Sequence, residues 1–397
     1  MFSRRLFAWM LVGSLVGFSG LSVAQDKKDP PKKDKDAAKI EQEKKETPKK
    51  EPEKKREIVP VEPVDQSFKS ADGVNLIGKW YKNPKGASSV VMLLHDYKAN
   101  PTEAVWEDTA QQLVSYGYHV FRFDFRGHGK STDVIPNEFW QNPVNKNLVK
   151  SGGVNLAVKS SIKVTEFYTN YYPMLVQDIA AARNVIDLLN DDKQLNSSTV
   201  YLLGAGDAAY LGMLYISSEW LRESEKPNMA YTREMVSPRV GYGLFQNAQS
   251  AGPDIAGAIW LSPTRNTSIT NQNVKDWTLS SHAIRMRNET PMLFIHGAKD
   301  TKSTQVSKYL ANEALAIKLT NYNGMAIPKV EQTFVREIKD SAATGTKLLG
   351  NNLGTEDMIE KFLTAVDKER KNKVNKTRSW KSPIYIDVQS FGVCKPQ

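Results

Sequence analysis

The sequence has few of the residues from which proteins build metal and redox sites. Of its 397 residues, one is cysteine and five are histidine. The single cysteine is Cys394, so no disulfide can form within the chain. There is no His-Glu-x-x-His motif, cysteine pair or tight carboxylate cluster, and the glycine turn at 204–206 lacks a Walker lysine and Rossmann spacing. We therefore expect no metal and no cofactor.

Long apolar runs are also lacking beyond the first residues. Arg4 and Arg5 precede a short apolar run that ends at Ser22-Val23-Ala24, a small-x-small sequence suited to signal peptidase. We interpret 1–24 as a cleaved signal peptide; the alternative is an uncleaved anchor. The arginine pair also resembles a twin-arginine signal, so the export route stays open. The chain is expected to be periplasmic or extracellular, with no integral membrane span after cleavage.

Residues 25–60 form a charged linker dominated by Lys, Glu, Asp and Pro. Ile40 is the one large apolar side chain in 26–57, so this stretch cannot bury enough surface to offset its ordering entropy. It is predicted to be a disordered tether, or alternatively a spacer that binds envelope polyanions. The chain carries a net charge of +10, yet no dense basic patch is interleaved with aromatic residues. Nucleic acid is therefore not an expected partner.

Residues 61–370 alternate strand-type and helix-type patterns, which is typical of the α/β class. Two antiparallel strands are expected to open the domain, followed by a mainly parallel sheet of about eight strands with helices on both faces. The predicted strands are 66–69, 74–81, 90–94, 119–124, 200–203, 258–261, 292–295 and 333–338. Apolar residues at helical spacing predict helices over 104–115 and 174–189, and a last helix is expected near 358–366. Cap insertions near 133–172 and 219–252 interrupt the pattern. We expect them to be lids or walls of a substrate pocket, or alternatively to have no role in function.

Three segments now carry a specific resemblance. They are Leu-Leu-His-Asp-Tyr at 93–97, Phe-Asp-Phe-Arg-Gly-His-Gly-Lys-Ser at 123–131 and Phe-Ile-His-Gly-Ala-Lys-Asp at 294–300. In their order and spacing they resemble the α/β-hydrolase family, in particular its serine aminopeptidase, monoacylglycerol lipase and dienelactone hydrolase-like members. The resemblance implies the α/β-hydrolase fold over about 66–368. It also implies that His95, His128 and His296 are structural histidines of turns.

The resemblance also locates the catalytic positions. The family places its nucleophile in a Gly-x-Ser-x-Gly turn between a strand and a helix. Here the turn reads Leu-Gly-Ala-Gly-Asp at 203–207, so Gly206 stands at the nucleophile position. Thr344 stands where the family has its histidine base, and no histidine follows His296. Asp300 keeps the acid position, so the implied triad is degenerate.

The residues around the turn offer further candidates. The resemblance makes the backbone N–H near Tyr97 an oxyanion donor, puts Asp96 where relatives usually have glycine, and makes Ala205 part of the turn. Asp207 also fits an elbow shifted by one residue, as in hydrolases with an aspartate nucleophile. The other interpretation is that Asp207 caps the following helix.

These patterns favour an exported, catalytically inactive hydrolase-like protein that keeps the fold to bind a small apolar ligand or an envelope protein. The alternative is an active hydrolase of esters, lipids or peptides that uses Asp207, or Ser341 or Thr344 from the last loop. Residues 371–397 form a C-terminal extension in which 380–388 is predicted to be an extra strand. That strand would pair with a sheet edge of its own chain or with another protein.

Overall fold

Eight strands form the central sheet, in the order β1-β2-β4-β3-β5-β7-β8-β9. The pairs β1–β2 and β2–β4 are antiparallel, and the other neighbouring pairs are parallel. The strands of the protein are β1 (Val64–Lys69), β2 (Asn75–Tyr81), β3 (Val90–Leu94), β4 (His119–Phe123), β5 (Val200–Ala205), β6 (Met235–Val236), β7 (Ile255–Leu261), β8 (Met292–Gly297), β9 (Thr333–Ile338) and β10 (Tyr385–Ile386). The predicted α/β class and sheet are confirmed.

The structure is a computed structural model, and it describes part of the chain. The described residues are 58–86, 89–97, 104–224, 235–236, 252–266, 268–279, 284–315, 333–370, 376–378, 383–389 and 392. The predicted signal peptide, nearly all of the linker, Cys394 and most of the second insertion lie outside these residues. Within them, no helix combines the length and the apolar character needed to cross a bilayer.

Helices cover both faces of the sheet. They are α1 (Ala104–Ser115), α2 (Pro136–Phe139), α3 (Pro143–Leu148), α4 (Val176–Asp191), α5 (Ala208–Ser224), α6 (Asn271–Leu279), α7 (Ile284–Glu289), α8 (Thr301–Tyr309) and α9 (Thr355–Arg370). Strand β3 shows the effect of this cover, because all five of its residues are buried. Val90 and Met92 join the core beneath α4 and α5, and Val91 joins the core beneath α1 and α9. A strand covered on both sides can be apolar at every position, so it shows no alternation in the sequence.

Helix α4 begins two residues later than the periodicity of the sequence predicts. Residues Thr169–Leu175 form a 3-10 helix that contains Pro173, and the α-helix begins at Val176. Proline has no backbone N–H, so it cannot donate the hydrogen bond that would extend the α-helix toward Thr169.

The C-terminal extension packs against α4. Ile384, Ile386 and Val388 are buried in the core on that side of the sheet. The backbone N–H of Ile386 donates to Oε1 of Gln177 at 2.9 Å, and the side-chain amide of Gln177 donates back to the Ile386 carbonyl. In the described part of the extension, Tyr385–Ile386 forms a strand that pairs in parallel with Met235–Val236. The extension thus pairs within its own chain, but with the second insertion rather than with an edge of the main sheet, because its apolar side chains find their cover on α4.

Parallel strands bring their carboxyl ends to one edge of the sheet. The turns that follow β3, β4, β5, β7 and β8 therefore meet at this edge. The candidate functional residues lie in these turns.

Candidate functional site

The turn after β5 has the geometry of a nucleophile elbow. β5 ends at Ala205, which is buried, and α5 begins at Ala208. Between them Gly206 has a φ of +59°. Its N–H donates to the Leu261 carbonyl at 2.9 Å, and its carbonyl accepts from the Thr264 N–H at 3.1 Å. A positive φ strains any residue with a Cβ, and it marks Gly206, rather than Ala205 or Asp207, as the apex of the turn.

The carboxylate of Asp96 lies where a nucleophile side chain would extend from Gly206. A Cβ placed on Gly206 would lie 1.6 Å from Oδ2 of Asp96 and 2.7 Å from its Cγ. Distances this short are incompatible with a side chain at position 206 while Asp96 keeps its conformation. Position 206 therefore carries no side chain, and the Asp96 carboxylate occupies the space into which one would extend.

Two backbone N–H groups at this edge donate to carboxylates of the same chain. The N–H of Asp207 donates to Oδ2 of Asp96 at 3.2 Å, and the N–H of Tyr97 donates to Oδ1 of Asp207 at 3.0 Å. In the α/β-hydrolase fold, the oxyanion hole is formed by the N–H after the nucleophile and an N–H from the loop after β3. A substrate oxyanion would have to displace these carboxylates and would be repelled by their charge.

Asp207 lies directly before α5, at the position of a helix cap, and its contacts extend well beyond the helix. Its Oδ2 accepts from the side-chain amide of Asn266 at 2.9 Å, and its carbonyl accepts from the hydroxyl of Tyr172 at 2.6 Å. The rings of Tyr97 and Tyr172 meet edge to face, with centroids 5.2 Å apart. Burial, followed by the charge of Asp207, raises the pKa of Tyr97 to about 12. Asp207 therefore joins the turns after β3, β5 and β7 into one network.

Two histidines hold the backbone beside Asp96. Nε2 of His95 accepts from the N–H of Phe125 at 3.0 Å, so Nδ1 carries the proton that is shared with the Asp96 carbonyl at 2.8 Å. Burial, and next the charge of His128, lowers the pKa of His95 to about 3. The ring nitrogens of His128 contact the carbonyls of Arg126 and Tyr97 at 2.9 and 2.7 Å. The prediction that these are structural turn histidines is confirmed.

The turn after β4 is held by a buried ion-pair network. The guanidinium of Arg126 donates to Asp72 at 2.7 and 2.8 Å, to Asp178 at 2.8 Å and to the Tyr171 hydroxyl at 3.0 Å. Arg126, Asp72 and Asp178 are all buried. Burial by itself would raise the pKa of Asp72, but the charge and hydrogen bonds of Arg126 outweigh it and hold the pKa below its usual value. The network fixes the segment that carries His128.

The other two positions of the implied triad are not joined to the elbow. Asp300 follows β8 and caps α8, since its side chain accepts from the Ser303 N–H at 3.1 Å. Thr344 is exposed and precedes a short 3-10 helix, Gly345–Leu348. Within the described part of the chain, no hydrogen bond links Asp300, Thr344 and Gly206. The hydroxyl of Ser341 accepts from the N–H of Ala343 at 3.1 Å.

The sequence did not point to Asn266 or Tyr172 as site residues. Asn266 follows β7, so its place after a buried parallel strand was a usable signal. Tyr172 lies at the end of the first insertion, and nothing in the local sequence indicates that its hydroxyl reaches Asp207. Among the residues that the structure describes, no group of three or more His, Cys, Asp or Glu is arranged to hold a metal ion.

The strand order and the glycine-apex elbow decide the architecture. The chain has the α/β-hydrolase fold. In its sheet, the first two neighbouring strand pairs, β1–β2 and β2–β4, are antiparallel and the following pairs are parallel. The elbow follows the central strand β5. Solved structures of esterases and hydrolases are similar to it over most of the described domain.

Three such structures illustrate the likeness. An esterase of Pyrococcus furiosus, Pf2001, is 15% identical, with 78% of this chain and 91% of that chain covered and a TM-score of 0.43. A dienelactone hydrolase of Anabaena variabilis is 12% identical, covers 77% and 98%, and has a TM-score of 0.41. Est1E of Butyrivibrio proteoclasticus, solved with ferulic acid, is 13% identical, covers 76% and 99%, and has a TM-score of 0.44. No protein-family model and no curated protein sequence matches the chain.

Proposed function

We propose that this is an exported, non-catalytic α/β-hydrolase-fold protein that uses the fold for binding. The observation that carries the proposal is the Asp96 carboxylate, whose Oδ2 would lie 1.6 Å from a Cβ at Gly206. Acyl transfer by the family mechanism needs a nucleophile, a base and free oxyanion donors. Gly206 supplies no nucleophile and Thr344 supplies no base. The two backbone N–H groups at the oxyanion-donor positions, those of Asp207 and Tyr97, donate to the carboxylates of Asp96 and Asp207.

The bound partner is proposed to be a small apolar ligand or an envelope protein that meets the carboxyl edge of the sheet. The first insertion and the tyrosines Tyr97 and Tyr172 are the described features beside that edge. Native mass spectrometry of protein purified from its producing cells tests the ligand. A bound molecule that is released on denaturation would support the proposal, whereas a ligand-free protein with no co-purifying envelope protein would contradict it.

The competing function is an active hydrolase that uses Asp207 as nucleophile. Both oxygens of the Asp207 carboxylate accept hydrogen bonds, from Tyr97 and Asn266, and Asp207 lies one residue beyond the apex. Incubation with p-nitrophenyl esters separates the two functions. We expect no turnover; hydrolysis that is abolished by Asp207→Asn would establish the competing function.

A fluorophosphonate probe tests for a serine nucleophile elsewhere. We expect no stoichiometric labelling of the protein, because Gly206 stands at the nucleophile position. Recovery of a labelled peptide that contains Ser341, or any other serine, would show that the inactive interpretation is wrong.

Repair of the site tests the assignment of positions. Gly206→Ser together with Thr344→His leaves Asp96 in the space of the new side chain, so this double variant should not be labelled by the probe. Adding Asp96→Gly should permit slow labelling, and each single change should have no effect, because the groups act only as a unit. A folded triple variant that is never labelled would show that position 206 or 344 is misassigned.

A further inference from the structure

The first insertion exposes large apolar side chains to solvent. Val154 is 48% exposed, Val158 is 68% exposed and Tyr168 is 48% exposed. The loop that carries the two valines, 151–158, also exposes Gly153 and Ala157. Leu156, in the same loop, packs against the core from the other side. Leu156 thus attaches the loop to the core, while Val154 and Val158 are exposed to solvent.

This loop projects from the domain surface. A Cβ added to Gly152 or to Gly153 would meet no atom within 4 Å. The start of the loop therefore faces open space, and Val154 and Val158 beside it are exposed. Apolar side chains that are open to solvent can enter a broad, deformable partner such as a lipid surface.

The base of the loop is held in one shape. Lys159 is buried, and its ammonium donates to the carbonyls of Lys150 and Ser151 at 2.8 and 3.1 Å and to Glu166 at 2.9 Å. The Lys159 carbonyl accepts from the indole N–H of Trp140 at 2.8 Å. Because the base is already ordered, docking of the loop requires little further loss of conformational entropy.

Lysine predominates among the exposed charges of this surface. Lys146, Lys150 and Lys163 are exposed, and the ammonium of Lys150 lies 5.4 Å from the ring centroid of Tyr168. The acidic residues beside them are Glu166, which is half-buried and accepts from Lys159 and from the Lys163 N–H, and the exposed Asp133, which pairs with Ser161. The surface therefore combines exposed apolar side chains with an excess of lysine.

We propose that this surface, 146–168, docks onto an anionic lipid bilayer. Val154 and Val158 enter the boundary between headgroups and acyl chains, Tyr168 lies at headgroup level, and the lysines contact lipid phosphates. Peripheral proteins attach to membranes by this combination of apolar insertion and lysine attraction, and the aromatic side chain fits the interface. The proposal does not depend on whether the elbow is catalytic.

Vesicle sedimentation tests the proposal with the protein carrying its linker. We expect the protein to bind vesicles of phosphatidylglycerol and phosphatidylethanolamine, and not vesicles of phosphatidylcholine. Val154→Asp with Val158→Asp should lower the bound fraction about fivefold or more, since a charge replaces each inserted side chain. Lys150→Gln with Lys163→Gln should weaken binding and reduce its sensitivity to salt. Val64→Asp is the matched control, because Val64 is also 48% exposed but lies on β1.

The lysines of the linker are present in every variant, so their contribution is constant across the series. A polarity-sensitive dye then reports insertion directly. On a Cys394→Ser background, dye attached through Val158→Cys should shift its emission to the blue on anionic vesicles, and dye attached through Val64→Cys should not. Loop variants that bind as tightly as the parent would overturn the proposal in favour of the linker. Failure to bind anionic vesicles at all would also overturn it and would favour an acidic protein partner.

Discussion

The turns after β4 and β5 lie at the same edge of one sheet and hold carboxylates by different means. At the β4 turn, Asp72 and Asp178 share the guanidinium of Arg126. At the β5 turn, Asp96 and Asp207 accept from the N–H groups of Asp207 and Tyr97 and from the amide of Asn266. The first arrangement is an ion pair that fastens the scaffold. The second engages two backbone N–H groups and one side-chain amide.

This difference separates the ion-paired framework from the candidate site. The Arg126 network and the histidines hold the turns at the ends of the strands. At the elbow, the apex residue Gly206 has a φ of +59° and carries no side chain. We therefore expect the stability of the fold to depend more on the Arg126 network than on the elbow.

The largest effect is expected from breaking the ion-pair network. Arg126→Met would leave Asp72 and Asp178 buried without their cation, which should cost about 3–5 kcal/mol of unfolding free energy. Urea denaturation followed by circular dichroism measures the loss. Lys69→Met is the control: it removes a pair with Glu138 whose lysine side chain is 47% exposed, and should cost at most about 1 kcal/mol. Equal losses in the two variants would show that the network does not fasten the β4 turn.

A smaller effect is expected at the elbow. Gly206→Ala should cost about 1–3 kcal/mol, because the new Cβ meets Asp96 and the positive φ is strained. In an Asp96→Gly background the contact is removed, so the cost of Gly206→Ala should fall to the part that comes from the positive φ. Gly345→Ala is the matched control, since Gly345 has a φ of +55° and an added Cβ there would meet no atom within 4 Å. A double-mutant cycle on positions 96 and 206 measures the coupling, and a coupling near zero would mean that Asp96 does not occupy this space.

The third effect is a slope, the dependence of stability on pH. The pKa of His95 is about 3 in the folded protein, below the usual value of a histidine in an unfolded chain. Between these values the unfolded state binds the extra proton, so stability falls as pH falls through this window, by about 1.4 kcal/mol per pH unit at most. His95→Gln should make this slope shallower between pH 6 and 4, which urea titrations at several pH values would show. An unchanged slope would mean that His95 is not buried in its neutral form.

Much of the fold could be predicted because its signals are local. The apolar run 90–94 is β3 and the helical period of 104–115 is α1, both within the predicted bounds. Long apolar runs between turn signals have few other ways to be buried. The resemblance of 203–207 to the family's Gly-x-Ser-x-Gly turn put Gly206 at the elbow, with Asp207 as the alternative, and the positive φ of Gly206 makes it the apex. The helix start at Val176 was missed because Pro173 alters the first turn.

The sequence by itself determined the α/β class and the succession of strands along the chain, because these depend on local pattern. The family resemblance, rather than local pattern, put Gly206 and Thr344 at the implied nucleophile and base positions. Only the tertiary structure decided that Asp96 fills the space beside Gly206 and that Asn266 and Tyr172 join Asp207. Asp96 and Asp207 are 111 residues apart, and the contact between them arises because parallel strands bring their carboxyl ends to one edge. The direction in which a carboxylate points within that edge depends on the donors that surround it, and those donors come from the turns after β3, β5 and β7.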